Sequence, residues 1–330
     1  MKTPPPGADA GSAANEGRRW SRPSAAAIVW AEPSFVARAI VGVAIVGVFL
    51  AAARTLPFDP SAVGGDAWNY LAAGERLNAG HELYALVPSD RYILIVPPFW
   101  TVPLLSPPTI AVLWRPLALL GEGAMTLWTL AGLVATAAFA AWIVLRGSTL
   151  ALVLILVLSP VVGLTAISGN ANAFLIPMLA YAWRRPATGG FGVAIAAAVK
   201  VTPILLMAWL LASGRWRSAA VAVAVVGAVT IVGAGPGSLV AWWQGAPGST
   251  PSPLSVATTL GLSPTIVFLL GAAIVAVVTF LAPRREALGF VVAVGVAVAT
   301  SPALYFEALG LLAVPLAIGV PGRRGSAVAG

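Results

Sequence analysis

The chain has 330 residues, of which 59% are hydrophobic and only 9% charged, with a mean hydropathy of +0.93. An average soluble domain is about 25% charged, so this composition excludes a water-soluble globule and points to an integral membrane protein of many spans. The absence of cysteine excludes disulfides, thiolate nucleophiles and cysteine-ligated metals.

The net charge of +8 has a distribution that argues against a nucleic-acid partner. Seventeen arginines and two lysines sit mostly at the ends of apolar runs, as in Arg184-Arg185, Arg215 with Arg217, Arg284-Arg285 and Arg323-Arg324. That bias marks cytoplasmic loops. No basic, aromatic-interleaved patch of the kind that follows a phosphate backbone is present.

Along the chain, residues 1–34 are rich in Pro, Gly, Ala, Ser and Arg without periodicity, which predicts a disordered cytoplasmic tail. A cleaved signal peptide is not expected, because the first apolar run starts late. Residues 35–322 form the expected transmembrane catalytic domain, and 323–330 a short cytoplasmic tail. Apolar runs at 36–53, 125–145, 149–167, 219–233 and 265–281 approach or reach the roughly 20 residues that cross a bilayer.

Between the first run and the rest lies a predicted outer loop, 55–92. Five of the eleven acidic residues fall between Asp59 and Asp90, together with the chain's one histidine, His81. Inside this loop Asp66 precedes a helical pattern over 67–79, and Gly80 follows it as a stop. Residues 92–120 are apolar but carry five prolines before Arg115-Pro116. Proline breaks helices, so this stretch reads as re-entrant or juxtamembrane.

Counting each arginine pair as cytoplasmic requires an even number of crossings between pairs. Hairpins are then expected around Ser168-Gly169-Asn170, around Lys200-Val201-Thr202-Pro203, across a polar segment at 237–264, and around Ser301-Pro302. The expected fold is all-α and polytopic, with about 10 (10–12) transmembrane helices. Several are short and broken, and their turns face the outer loop's side. Short interrupted helices of this kind suggest a cavity near that membrane face.

Several residues stand out chemically. On spacing Asp66 reads first as a helix N-cap, and a general base held at the membrane boundary is compatible with that, since a cap fixes the side chain. His81 suits proton transfer or a phosphate contact, and suits a solvated loop just as well. Lys200 lies between AIAAAV and VTPILLMAWLL, far from the arginines. A lone ammonium near membrane depth is costly and marks function, against the alternative that it snorkels to the interface. Glu307 is likewise isolated in SPALYFEALGLL, and Asn170 and Asn172 either line a cavity or shape a turn. No metal-ligand spacing is evident, and no cofactor is expected.

Five motifs in order resemble glycosyltransferase family 87, the polyprenyl-phosphate-mannose-dependent integral-membrane mannosyltransferases of the C-type membrane glycosyltransferase fold. They are GDAWNYLAAGERLNAGHELY, PPTIAVLWRPLALL, GNANAFLIPMLAYAWRR, GFGVAIAAAVKVTPILLMAWLLASGRWRSA and ATSPALYFEALGLLAVPLAI, and the resemblance extends over roughly residues 37–318. The resemblance implies that Asp66 deprotonates an acceptor hydroxyl, which attacks the anomeric carbon of a lipid-linked mannosyl phosphate. It also implies that Lys200 lies near the donor. A leaving phosphate needs cations, and Lys200, Arg76 and Arg91 are available. Tyr70, Arg76, His81, Tyr84, Asn170, Tyr305 and Glu307 join Lys200 as expected substrate contacts.

The implied partners are a polyprenyl-phosphate sugar donor, a glycolipid or glycan acceptor, and membrane lipids. The implied location is the plasma membrane, with both termini cytoplasmic and the active loop outside. Two other readings fit parts of the chain. A lipid or small-molecule transporter or flippase would use Lys200 and Glu307, though it should show repeat symmetry. A catalytically decayed scaffold subunit would accommodate Asn170, where many relatives carry Gln, and Tyr305 with Glu307, where they often carry Trp and His.

Overall fold

The computed structural model describes residues 32–54, 65–84, 106–185, 188–245, 255–282, 286–301 and 306–320. Among these residues the regular structure is entirely helical. A bilayer supplies no hydrogen-bond partners for backbone groups, and a helix satisfies them within itself. The first helices are α1 (Phe35–Ala53), α2 (Gly65–Asn78), α3 (Pro108–Ala118), α4 (Gly123–Arg146), α5 (Thr149–Ile167) and α6 (Asn172–Arg184). They are followed by α7 (Gly189–Val199), a 3₁₀ turn (Thr202–Ile204), α8 (Leu205–Ala212) and α9 (Trp216–Gly245). The chain ends in α10 (Val256–Leu260), α11 (Pro264–Leu281), α12 (Glu286–Ala299) and a 3₁₀ segment, Phe306–Gly319.

Four of the described helices are long and apolar enough to cross a membrane: Gly123–Arg146, Thr149–Ile167, Trp216–Gly233 and Pro264–Leu281. Five shorter apolar helices accompany them: Phe35–Ala51, Gly189–Val199, Thr202–Ala212, Glu286–Ala299 and Ala308–Gly319. The protein is therefore a helical membrane protein that mixes long and short apolar helices. Serine side chains open three of the described helices. Ser148, Ser255 and Ser263 each accept a hydrogen bond from the amide three residues on, at Ala151, Thr258 and Ile266.

Two differences from the sequence reading concern helix boundaries. Asp66 lies inside the first turn of α2 rather than ahead of it. The polar segment expected from residue 237 is instead partly helical, since α9 runs on to Gly245 through a kink at Gly235, where φ is 77°. A left-handed φ costs glycine little and interrupts the helix there. The terminal tails lie almost wholly outside the described residues, as do Arg91, Tyr305 and residues 92–105.

The core is built by close backbone approach around α7. A Cβ on Gly190 would meet the Ser218 carbonyl of α9 and lie 2.8 Å from Ser218 Cα. Added methyls on Gly189 and Gly192 would strike the Ala182 and Met178 carbonyls of α6. With lipid outside as apolar as the helices themselves, such small residues allow the tight packing that holds membrane helices together. Gly190→Ala is expected to destabilise the protein by about 1–3 kcal/mol, as overpacking does. Gly227→Ala, inside α9 with nothing within 4 Å, should leave stability unchanged or raise it by up to about 1 kcal/mol, the helix preference of alanine over glycine. Thermal denaturation in detergent compares the two.

The arginine-bearing helix ends also meet one another. Arg215 pairs with Glu286 at 2.6 Å and lies 4.7 Å from the Trp209 ring centre. Arg38 donates to the Val144 carbonyl at 2.5 Å, and Arg215 donates to that of Ala182 at 3.3 Å. The opposite ends of α6 and α7 carry the turns considered next.

Candidate active site

Three chain segments far apart in sequence converge at one end of the bundle: the start of α2, the turn between α5 and α6, and the end of α7. The Asp66 amide donates to the Ser168 carbonyl at 3.2 Å, fixing α2 to the α5–α6 turn. That turn reverses tightly because Gly169 takes φ 66°, which glycine tolerates. Trp128 of α4 clamps it by donating from its indole nitrogen to the Gly169 carbonyl at 2.9 Å.

The turn presents Asn170, buried at 6% exposure, as a bridge. Its Nδ2 donates to Asp66 Oδ2 at 2.5 Å, and its Oδ1 accepts from Lys200 Nζ at 2.9 Å and from the Asn172 amide at 2.9 Å. The amide orientation follows from its neighbours: an ammonium and a backbone N–H only donate, and an ionised carboxylate only accepts. Asp66 and Lys200, 134 positions apart by their numbers, are thus joined through one side chain. Lys200 itself is half-buried and ends α7, with an extended backbone that turns the chain toward Thr202.

Behind Asp66 the α2 helix rests on α3. Gly74 allows the contact, since a Cβ there would lie 2.8 Å from the Trp114 carbonyl oxygen. Tyr70, one turn beyond Asp66 and buried, packs its ring against Trp114 and Trp128 at centroid distances of 5.9 and 6.2 Å. Phe174 continues this cluster 4.4 Å from Trp128. Tyr70 ties this aromatic cluster to Asp66, whose charge acts on the tyrosine hydroxyl.

Burial holds the pKa of the Tyr70 hydroxyl well above the usual tyrosine value, and the Asp66 charge pushes it further. Hydrogen bonds with the Ala171 backbone and the Ser106 side chain pull the other way and are outweighed. Burial likewise raises Tyr84, whose hydroxyl donates to the Ser106 carbonyl at 3.0 Å. Both tyrosines are neutral hydrogen-bond donors at physiological pH.

Because the folded-state value of Tyr70 exceeds the unfolded value near 10, its contribution to stability is complete below about pH 10 and declines as pH rises further. The thermal midpoint should be flat from neutral pH to that point and then fall. Tyr70→Phe, which cannot ionise, should make the fall shallower.

The other expected contacts are distributed differently. Arg76 and His81 belong to the far end of α2, about 15 and 20 Å along the helix from Asp66 at 1.5 Å per residue. Arg76 donates to the Leu83 carbonyl at 3.3 Å, and the His81 amide donates to the Arg76 carbonyl at 2.9 Å. Gly80, with φ 73°, lets the chain turn out of the helix there, and the His81 side chain is exposed. Their geometry is that of a helix end rather than of the Asp66–Asn170–Lys200 junction. Tyr84 is tied to Ser106 and through it to Tyr70. Glu307 falls in the 3₁₀ segment, but its side chain, like all of Tyr305, lies outside the described residues.

Trp128 and Trp114 were not picked out from the sequence. Tryptophans in apolar runs ordinarily read as interfacial anchors, and nothing local marks one that holds a turn.

The half-buried Asp66 and Lys200, joined through the buried Asn170, thus form an acid–amide–ammonium chain at one end of a bundle of long and short apolar helices. The glycosyltransferase family 87 model matches residues 105–315, and the chain belongs to that family. It is a membrane glycosyltransferase, with a sugar donor and an acceptor as its partners. No curated protein and no solved structure matches the chain.

Proposed function

We propose that the chain transfers mannose from a polyprenyl-phosphate carrier to a hydroxyl of a glycolipid or glycan acceptor, at the outer face of the plasma membrane. The observation that carries this reading is the junction of Asp66, Asn170 and Lys200, where a carboxylate and an ammonium face one site through a shared amide. Asp66 takes the proton of the acceptor hydroxyl. The freed oxygen attacks the anomeric carbon, and the bond from that carbon to the phosphate oxygen breaks. Lys200 balances the charge gathering on the departing polyprenyl phosphate, the role of a preorganised cation in such a transition state. Asn170 positions both groups. A single displacement of this kind inverts the anomeric configuration.

The arginine bias supports a cytoplasmic position for the other end of the bundle, and with it an outer position for the Asp66 junction. In this reading the shorter apolar helices complete about ten crossings, with both termini inside. A lipid-linked donor reaches such a site sideways from the bilayer, as a soluble nucleotide sugar does not.

The reading is tested by supplying membranes that overproduce the protein with labelled polyprenyl-phosphate mannose, polyprenyl-phosphate glucose or a nucleotide-linked mannose. Transfer should occur from the first alone. Transfer from the glucose carrier would reassign the sugar, and transfer directly from the nucleotide donor would refute the lipid-linked mechanism.

A further inference from the structure

Far from the Asp66 junction, at the arginine-bearing end of the bundle, α4 and α6 enclose an open groove of about 1150 Å³. Arg146 closes α4, and Arg184 with Arg185 closes α6. All three line the groove, and among the described residues no acidic side chain does. Trp142, Tyr181 and Trp183 form its aromatic surface, with alanine side chains deeper along both helices. The guanidinium of Arg184 is held in place, donating to the Val320 carbonyl at 2.7 Å and lying 5.9 Å from the Trp142 ring centre. Arg146, Arg185 and Tyr181 are exposed. The arginine end of the groove stands about 18 Å from Asn172, the length of α6 at 1.5 Å per residue.

Arginines in the last turn of a helix complement its dipole, and that alone would account for Arg146 and Arg184 individually. It does not account for three of them, from two helices, facing one concave space with aromatic and apolar walls. That combination has two chemically distinct parts. The guanidinium forks match phosphate oxygens, and the apolar flanks of α4 and α6 match acyl chains at the depth where tryptophan and tyrosine meet the headgroups.

We infer that this groove binds an anionic phospholipid of the cytoplasmic leaflet, its phosphate between Arg146 and Arg185 with Arg184 behind them, and its chains along the α4–α6 crevice. Basic pockets between membrane helices on that face are suited to such headgroups. The site is separate from the transfer site and does not depend on which sugar is moved. Because it grips the ends of α4 and α6, whose other ends carry Trp128 and the Asn170 turn, lipid bound here braces the two helices that support the catalytic junction.

The test is the thermal midpoint of the purified full-length protein in neutral detergent, titrated with phosphatidylglycerol, phosphatidylcholine or free glycerol phosphate. Bound ligand raises the midpoint according to its affinity. Phosphatidylglycerol should stabilise at clearly lower concentration than phosphatidylcholine, and glycerol phosphate should have no effect at matched concentration. Each arginine near an anionic lipid contributes roughly a fivefold gain in affinity. Arg146→Gln with Arg185→Gln should therefore weaken the phosphatidylglycerol response more than tenfold while leaving the phosphatidylcholine response unchanged. If the double variant does not fold, Arg185→Gln alone should give a loss of about fivefold. Equal responses to the two lipids, a response to glycerol phosphate matching that to phosphatidylglycerol, or undiminished selectivity in the variants would each overturn the assignment.

Discussion

Asp66→Asn is expected to lower sugar transfer by about 10²–10⁴-fold, the usual contribution of a positioned general base, while the protein stays in the membrane at normal abundance. The substitution preserves shape and removes only the ability to accept a proton. Asn170 donates to Asp66 Oδ2, and a second amide in that place can still accept this bond through its own oxygen. The aromatic packing of Tyr70 against Trp114 and Trp128 does not involve the carboxylate. Loss of transfer with an unchanged thermal midpoint therefore separates a chemical role from a structural one. Activity retained within a few-fold would move the base elsewhere.

Lys200→Met tests the other end of the junction. It keeps most of the apolar stem and deletes the ammonium, so Asn170 Oδ1 retains the Asn172 amide but loses the charged donor. If Lys200 stabilises the leaving phosphate, the loss falls on the chemical step. An effect of about 10²–10³-fold on kcat, comparable to deleting one oxyanion donor, is expected, with a smaller change in KM. A change confined to KM would make Lys200 a ground-state contact for the donor. No change in either would make it a snorkelling residue at the end of α7.

The two substitutions act on groups that share Asn170, so their effects should not add. Residues that work as a unit show this non-additivity, and the Asp66→Asn, Lys200→Met double variant should be scarcely worse than Asp66→Asn alone.

Much of the architecture was legible in the chain because membrane helices obey one-dimensional rules. Arginine pairs mark one end of each hairpin, and polar or glycine-containing breaks mark the other. This is how the turns at Ser168-Gly169-Asn170 and at Lys200 could be located. Lys200 stood out as a charge that the arginine pattern does not explain, and Asp66 as the acid that opens a helical pattern in the outer loop. What escaped the sequence was pairing. Nothing in GNANAF says that Asn170 joins a carboxylate 104 positions before it to an ammonium 30 positions after it.

Arg76 and His81 are close to Asp66 in sequence, but the intervening segment sets them along a helix axis from it. Once that segment folds as a straight helix, its two ends stand about 20 Å apart. The α9 boundary was missed for a different reason. Glycine and proline at 235–237 signal a break, and the chain absorbs it as a kink that continues into more helix.

The most direct measurement is transfer by the purified protein in proteoliposomes, following labelled mannose as it leaves polyprenyl phosphate and enters the acceptor fraction. The account predicts equal loss and gain in the wild type, with inverted anomeric configuration in the product, and neither change with Asp66→Asn at matched protein. Donor turnover that survives in Asp66→Asn, or a wild type that leaves the lipid-linked sugar intact beside a competent acceptor, would contradict it.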